Sequence, residues 1–215
     1  MVGSFLLIWF RCPGIDLSNK IMGKLIVFEG IDRSGKTTQI KKLYDHLQKL
    51  RVRFYITREP CDRDVRFELK NGNLSSEEQL NLILKDRTKH SPVIKYLLEN
   101  SELVLCDRFT GSTLAYQGYG HGLDLGVLEK LNESATGGIK PDMTILFDCP
   151  VDVAIKRNFG KPLDRVEQDL HFLDRVRFGY LELARENDWV VIDATRSECQ
   201  IFTELLGIIP APVAG

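Results

Sequence analysis

Gly30-Ile31-Asp32-Arg33-Ser34-Gly35-Lys36-Thr37 is the most informative segment of this chain. Two glycines flank four free positions and are followed by Lys and Thr, which is the spacing of a phosphate-binding loop. In such a loop, backbone N–H groups at a helix N-terminus point at phosphate oxygens. Lys36 is then expected to reach the β- and γ-phosphates of a nucleoside triphosphate, and the Thr37 hydroxyl to bind Mg²⁺.

The flanking sequence supplies the context that this motif requires. A short apolar run at residues 25–28 precedes the loop and favours a buried strand. After the loop, apolar residues recur at three- and four-residue steps, as on one face of an amphipathic helix: Ile40, Leu43, Leu47 and Leu50. The alternative is an ordinary glycine-containing turn with an exposed lysine. The agreement of the motif with its flanks favours the nucleotide site.

Composition and charge fit one compact α/β domain. A chain of 215 residues is long enough for a single well-filled core. Its 29 basic and 30 acidic side chains give a net charge of −1, so no overall field attracts nucleic acid or an anionic membrane. The cysteines form no Cys-x-x-Cys pair, which predicts neither a zinc site nor a disulfide framework and favours the reducing cytoplasm: Cys12, Cys61, Cys106, Cys149 and Cys199.

Residues 1–22 differ in character from the rest. The apolar run at 4–10 is too short to span a bilayer and lacks the basic flank of a secretory signal. We expect residues 1–22 to be a dispensable extension and 23–215 to form a single domain. The alternative is an apolar appendage that docks on the domain or on a partner.

From Lys24 onward, strand and helix patterns alternate. Apolar runs predict strands at 25–29, 53–57, 103–107, 143–148 and 189–193. Helical patterns lie between them near 36–50, 77–99, 124–136, 151–158, 167–187 and 197–206. Ser76 is a candidate N-cap, and Gly137-Gly138 is expected to end the third of these helices. The alternation predicts a three-layer α/β/α sandwich around a parallel sheet of about five strands.

Charged residues follow three of the predicted strands. Ligands of parallel sheets bind outside the carboxyl ends of the strands, so these residues are expected at one rim. Together they suit a second anionic ligand and a metal ion beside the phosphate loop: Arg58-Glu59-Pro60, Asp107-Arg108 and Asp148.

Beyond the phosphate loop, further motifs resemble those of the thymidylate kinase family, and of its bacterial branch in particular. They occur in the family's order from about Lys24 to Ile192: Phe28-Glu29 with the loop, Thr57-Arg58-Glu59-Pro60, Asp107-Arg108-Phe109, Ser112-Thr113, Ala115-Tyr116-Gln117-Gly118, Lys140-Pro141-Asp142 and Asp164-Arg165-Val166-Glu167. The resemblance implies a P-loop nucleoside monophosphate kinase architecture. It also implies transfer of the γ-phosphate of ATP to dTMP with Mg²⁺, and a homodimer that needs neither nucleic acid nor membrane.

The resemblance assigns roles on the donor side. It places cations around the transferring phosphoryl group and a carboxylate near the metal: Lys36, Arg33, Arg165 and Asp107. The ATP-binding positions are Gly30, Ile31, Asp32, Arg33, Ser34, Gly35, Lys36, Thr37 and Thr38, and the metal positions are Thr37 and Asp107. Arg165 lies in a polar segment, about 158–167, that matches the family's lid over ATP; its alternative is a solvated loop arginine.

On the acceptor side, Arg108 matches the arginine that contacts the phosphate of dTMP, and Asp32 the carboxylate at its 3′-hydroxyl. Arg87 matches the arginine that reaches the thymine carbonyl. The other implied acceptor positions are Glu59, Pro60, Ile83, Thr113, Tyr116 and Gln117.

The chain departs from the family pattern at three places. Ile83 stands where the family has a phenylalanine that stacks on thymine, which loses about 1 kcal/mol of stacking. Cys61-Asp62-Arg63 replaces Gly-Gly-Thr, and Arg63 is a candidate for the acceptor phosphate. The catalytic arginine of the loop, Arg33, occurs together with basic lid residues: Arg157, Lys161 and Arg165.

Two other functions remain open from the sequence. One is a kinase of a different nucleoside monophosphate, which the Ile83 departure favours. The other is a nucleotide-dependent switch protein without an acceptor, although the chain has no Asn-Lys-x-Asp motif for guanine.

Overall fold

The computed structural model describes residues 22–50, 52–157 and 168–209. Its centre is a five-stranded sheet in the order β2-β3-β1-β4-β5, in which every neighbouring pair is parallel. The strands are β1 (Lys24–Glu29), β2 (Phe54–Arg58), β3 (Leu103–Asp107), β4 (Met143–Asp148) and β5 (Val190–Asp193). The predicted parallel sheet is confirmed, and its central strand is the one that leads into the phosphate loop.

The described helices cover both faces of this sheet. They are α1 (Lys36–Lys49), α2 (Arg63–Asn71), α3 (Ser76–Glu99), α4 (Thr110–Thr113), a π-helix (Leu114–Gly120), α5 (Leu125–Thr136), α6 (Val151–Lys156), α7 (Leu170–Glu186) and α8 (Glu198–Ile208). The sequence did not predict α2 or the helical segment that starts at α4. Helix α2 buries none of its residues, so it has no core-facing apolar stripe to detect.

Successive side chains of β1 point to opposite faces of the sheet and pack into two separate apolar clusters. Leu25 and Val27 pack with α3 on one face of the sheet. Ile26 and Phe28 point to the other face, where α1, α6, α7 and α8 contribute the larger apolar cluster. This arrangement confirms the three-layer α/β/α sandwich.

The helix ends show where local sequence signals were read correctly. Gly137 ends α5 in the left-handed region with φ 62°, as predicted. The predicted cap of α3 was wrong by one residue, because Ser75, and not Ser76, is the N-cap. Ser75 has Glu78 three residues later, and the two form a reciprocal capping box with N–H···O distances of 3.2 and 2.8 Å.

Within the described ranges, none of the helices combines the length and the apolar character needed to cross a bilayer.

Candidate active site

The phosphate loop lies at the carboxyl end of β1 and requires both of its glycines. Gly30 has φ 139°, and a Cβ atom there would lie 2.6 Å from the Phe147 carbonyl oxygen. Gly35 has φ 99° and is the N-cap of α1. A side chain would therefore clash at Gly30 and strain the backbone at Gly35, and the loop leads directly into a helix N-terminus that favours anions.

Lys36 is buried within this loop. Its Nζ donates to the carbonyls of Gly30 and Ile31 at 2.8 and 2.9 Å, and to the Ser34 hydroxyl at 3.3 Å. Burial lowers the pKa of Lys36 to about 8, and Arg108 adds to that effect, whereas Asp107 and Asp32 oppose it. A cation held at the mouth of the loop is placed to meet donor phosphates.

The candidate metal ligands meet between β1 and β3. Thr37 Oγ1 donates to Asp107 Oδ2 at 3.2 Å, and Arg58 Nη2 lies 4.0 Å from the same carboxylate oxygen. The other oxygen, Asp107 Oδ1, is buried and has no hydrogen-bond partner in the described part of the chain. A free carboxylate oxygen beside a threonine hydroxyl fits Mg²⁺, which takes few protein ligands and completes its shell with phosphate and water.

Arg108 follows Asp107 at the end of β3 and turns toward the loop. Its backbone is in the left-handed region, with φ 72°. Nη2 donates to Asp32 Oδ1 at 2.9 Å, and the guanidinium carbon lies 5.2 Å from the centre of the Tyr116 ring. Burial alone would raise the pKa of Asp32, but Arg108 and Lys36 lower it well below its ordinary value. The loop carboxylate Asp32 and Arg108 therefore form one charged pair.

A buried carboxylate, Glu29, lies behind Arg108. It accepts hydrogen bonds from Ser112 Oγ at 2.6 Å and from Tyr180 OH at 3.1 Å. Both hydroxyls also accept from Arg108 Nη1, at 3.2 and 3.0 Å respectively. Burial raises the pKa of Glu29, while Ser112 and Arg108 oppose that rise.

A second polar cluster surrounds Arg87. Arg87 Nε donates to Glu59 Oε2 at 2.7 Å, and His90 Nδ1 lies 3.1 Å from Glu59 Oε1. Burial would raise the pKa of Glu59, but Arg87 and His90 hold it below its ordinary value. Arg87 also donates to Thr113 Oγ1, Asn132 Oδ1 and the Phe109 carbonyl. Four of its five N–H groups thus have partners, and among the described residues none accepts from the second Nη2 N–H.

The π-helix carries two further predicted site residues, Tyr116 and Gln117. Tyr116 contacts Arg108, and Gln117 is buried with an Oε1 atom that has no partner among the described residues. Ile83 is half-buried on α3, one turn before Arg87. The π-helix therefore places a phenol against Arg108 and a buried carboxamide next to it in the sequence.

Asp86 stabilises the segment that departs from the family pattern. Its carboxylate accepts from the backbone N–H groups of Cys61 at 2.6 Å and Asp62 at 2.8 Å. Arg66 Nη1 donates to the carbonyls of Pro60 and Cys61 at 2.6 and 2.7 Å. Arg63, the predicted candidate for the acceptor phosphate, is exposed on α2. The backbone here is held by a carboxylate and an arginine rather than by glycine turns.

Asp148, at the end of β4, was predicted to join the site for an anionic ligand and a metal ion, but it pairs with another side chain. Asp148 forms a bidentate pair with Arg177 of α7, with N–O distances of 2.7 and 2.8 Å. This carboxylate is therefore occupied by an internal partner. Arg33 has φ 64° in the loop, and its carbonyl accepts from Arg157 at 3.4 Å. Arg165 and the predicted lid lie outside the described residues.

Sequence reasoning missed several residues that shape the site. Glu29 carried one signal, since it is a charged residue at the end of an apolar strand. Asp86 carried another signal, since it directly precedes the predicted site residue Arg87. His90, Asn132 and Tyr180 had no local signal, because only the tertiary fold brings them to their respective partners Glu59, Arg87 and Arg108.

Comparisons with known proteins agree with this geometry. A family model described as thymidylate kinase matches residues 28–205. The thymidylate kinase of Geotalea daltonii is 44% identical over 184 residues, covering 78% of this chain and 86% of that protein. That of Prochlorococcus marinus is 38% identical over 198 residues, covering 85% of this chain and 94% of that protein.

A solved structure extends the similarity to three dimensions. The crystal structure of thymidylate kinase from Ehrlichia chaffeensis superposes with a TM-score of 0.72 at 30% identity, covering 87% of this chain and 99% of that one. The family match spans most of the chain and includes the phosphate loop, the Asp107-Arg108 pair and the π-helix. The chain therefore belongs to the thymidylate kinase family.

Proposed function

We propose that the protein transfers the γ-phosphate of ATP to dTMP and releases ADP and dTDP. The observation that carries this proposal is the position of Asp107 and Arg108, at consecutive positions of one strand end beside the phosphate loop. One side chain faces the metal position and the other reaches Asp32 of the loop. Donor and acceptor phosphates can thus be held next to each other, as phosphoryl transfer requires.

Cations surround the point where the two phosphates would meet. Lys36 lies on the donor side and Arg108 on the acceptor side, and we assign Arg33 and the lid residue Arg165 to the transferring group. Mg²⁺ held by Thr37 and Asp107 would neutralise charge on the donor phosphates. The protein's contribution is to position these charges before the reaction, so that they stabilise the transition state.

The base side suits thymine. The remaining Nη2 N–H of Arg87 can donate to the thymine O4 carbonyl, and Gln117 Oε1 can accept from the N3–H group. Cytosine presents an amino group and an unprotonated N3 at these two positions, so both contacts would be lost. Ile83 would cover the ring by apolar contact, and Thr113 and Glu59 would support Arg87.

We also propose a homodimer, a cytoplasmic location and roles for two segments of the chain. Exposed apolar side chains on α3 and α5 suit a homodimer contact: Tyr96, Val127 and Leu131. The scattered cysteines favour the cytoplasm. Residues 1–22 are proposed to be dispensable and the segment around 158–167 to act as the lid.

The acceptor is tested by a coupled ADP assay across dTMP, dUMP, dCMP, dGMP, UMP and CMP with Mg·ATP. We expect the highest kcat/KM with dTMP and ADP release that depends on an acceptor. A higher kcat/KM for another monophosphate would show that Ile83 has changed the acceptor. Slow ADP release that ignores every acceptor would indicate a nucleotide switch instead.

A further inference from the structure

We propose that Glu29 is a positioning residue that orients the hydroxyl groups of Ser112 and Tyr180 so that both accept from Arg108. In this way a carboxylate that does not touch the substrate aims the acceptor arginine. The inference rests on the proposed function, because it takes Arg108 to bind the phosphate of the acceptor.

The four hydrogen bonds to Glu29 come from separate parts of the fold. Oε1 accepts from the backbone N–H groups of Phe109 and Ser112 at 2.9 and 3.0 Å. Oε2 accepts from the hydroxyls of Ser112 and Tyr180 at 2.6 and 3.1 Å. The side chain is fully buried, so water does not compete for these donors. A carboxylate with four protein donors is acceptor-only and is fully satisfied.

The direction of the hydroxyl protons follows from this arrangement. Each hydroxyl has one proton, and an ionised Glu29 draws both protons toward Oε2. The Ser112 and Tyr180 oxygens lie 2.8 Å apart, so Tyr180 can direct its single proton to Ser112 instead of Glu29, and in either case its lone pairs can accept from Arg108. Burial and Glu29 raise the pKa of Tyr180 well above its ordinary value, so this phenol keeps its proton. Both oxygens therefore offer lone pairs to Arg108 Nη1.

The guanidinium is thereby held at two of its nitrogens. Ser112 and Tyr180 hold Nη1 at 3.2 and 3.0 Å, while Asp32 holds Nη2 at 2.9 Å. Two anchored nitrogens fix the plane of the guanidinium and therefore the direction in which it presents its positive charge to a phosphate. Loss of one anchor leaves the charge in place but frees its orientation.

An isosteric amide distinguishes positioning from packing. In Glu29→Gln, the carbonyl oxygen is expected to keep the two backbone donors at the Oε1 position. The NH₂ group then faces the hydroxyls of Ser112 and Tyr180 and donates to them, which turns their protons toward Arg108. The volume of the side chain is unchanged, while the polarity of the network is reversed.

The test is a double-mutant cycle of Glu29→Gln with Arg108→Lys, measured as KM for dTMP and kcat. Affinity for a non-hydrolysable ATP analogue is measured by calorimetry. Glu182→Gln, at the surface of α7, is the matched control for the amide change. We expect Glu29→Gln to raise KM for dTMP on the order of tenfold, the effect of one hydrogen bond to a charged group. The affinity for the ATP analogue is expected to stay within about twofold of the native protein, and the added effect in Arg108→Lys to fall below about twofold.

Each outcome separates the two proposals. If Arg108→Lys leaves KM for dTMP unchanged, the acceptor assignment fails, and the role of Glu29 fails with it. If Arg108→Lys raises KM but Glu29→Gln does not, or if the two effects multiply, Glu29 has only a structural role. Should Glu29→Gln fail to fold, Tyr180→Phe removes one acceptor of Nη1, with Tyr119→Phe as its control. A KM for dTMP equal to that of Tyr119→Phe would then overturn the proposal.

Discussion

Replacing Asp86 by alanine is expected to loosen the segment after β2 and to destabilise the protein. The carboxylate holds the backbone N–H groups of Cys61 and Asp62, at 2.6 and 2.8 Å, and is itself buried. Without it, both N–H groups lose their acceptor. The same segment begins with Glu59, whose carboxylate pairs with Arg87, the residue that we propose to contact thymine, so a loose segment is also expected to weaken acceptor binding.

The magnitude follows from the number and the exposure of these bonds. A hydrogen bond to a charged group stabilises by about 1.5–3 kcal/mol when it is buried. Two such bonds would give about 3–6 kcal/mol, but Cys61 and Asp62 are only half-buried, so water can replace part of the loss. We therefore expect Asp86→Ala to lower the free energy of unfolding by about 2–4 kcal/mol and to raise KM for dTMP several-fold.

Equilibrium urea unfolding measures this change, and two variants of the same segment serve as controls. Asp62→Ala removes the N-cap of α2 and is expected to cost about 1 kcal/mol. Cys61→Ala keeps both backbone bonds and removes a weak donor, a thiol whose pKa burial and Asp86 raise to about 12. Its cost is expected to stay below about 0.5 kcal/mol. An Asp86→Ala variant as stable as Cys61→Ala would refute the reasoning.

Other changes probe the donor side and the remaining segments. Lys36→Ala is expected to lower kcat by about two orders of magnitude or more, as for loss of a cation at the transferring phosphate; near-normal turnover in a coupled assay would exclude the loop as the donor site. Because Lys36 has a pKa of about 8 in the free protein, kcat/KM for ATP should fall as pH rises through that value, whereas a flat profile up to pH 9 would contradict the assignment. Arg165→Ala should chiefly lower kcat and spare the affinity for an ATP analogue, measured by calorimetry; a large loss of that affinity would argue against a lid role. A chain that starts at Met22 is expected to keep its melting temperature and kinetics, and a large fall in either would show that residues 1–21 pack on the domain.

The elements that the sequence predicted well are those with a local signal. A residue spacing or an apolar run that is visible in the sequence marks each of them: the phosphate loop, the five strands and the long helices. Helix α2 was missed because it buries no residue, and the α4 segment because its polar and small residues resemble a loop. Ser76 was predicted in place of Ser75 because both are serines, and only the partner at Glu78 decides between them.

The residues of the candidate site also fall into two groups, those that a sequence motif reveals and those that only the fold reveals. Lys36, Asp107 and Arg108 could be found from motifs, because their chemistry is coupled to a fixed position in the chain. The supports of Arg108 could not, since Glu29 and Tyr180 are 151 residues apart in the sequence and meet only across the folded sheet. Asp148 looked equivalent to Asp107 from its place after a strand, but Arg177 of a later helix neutralises it. Tertiary partners therefore decide which strand-end charges remain available to a ligand.

The central claim is that one site moves a phosphoryl group from ATP to dTMP. A single-turnover reaction with ATP labelled at the γ-phosphate, excess protein and Mg²⁺ follows that group directly. We expect the label to appear in dTDP when dTMP is present and to stay in ATP when dTMP is absent. Label that accumulates as inorganic phosphate, at a rate independent of dTMP, would contradict it.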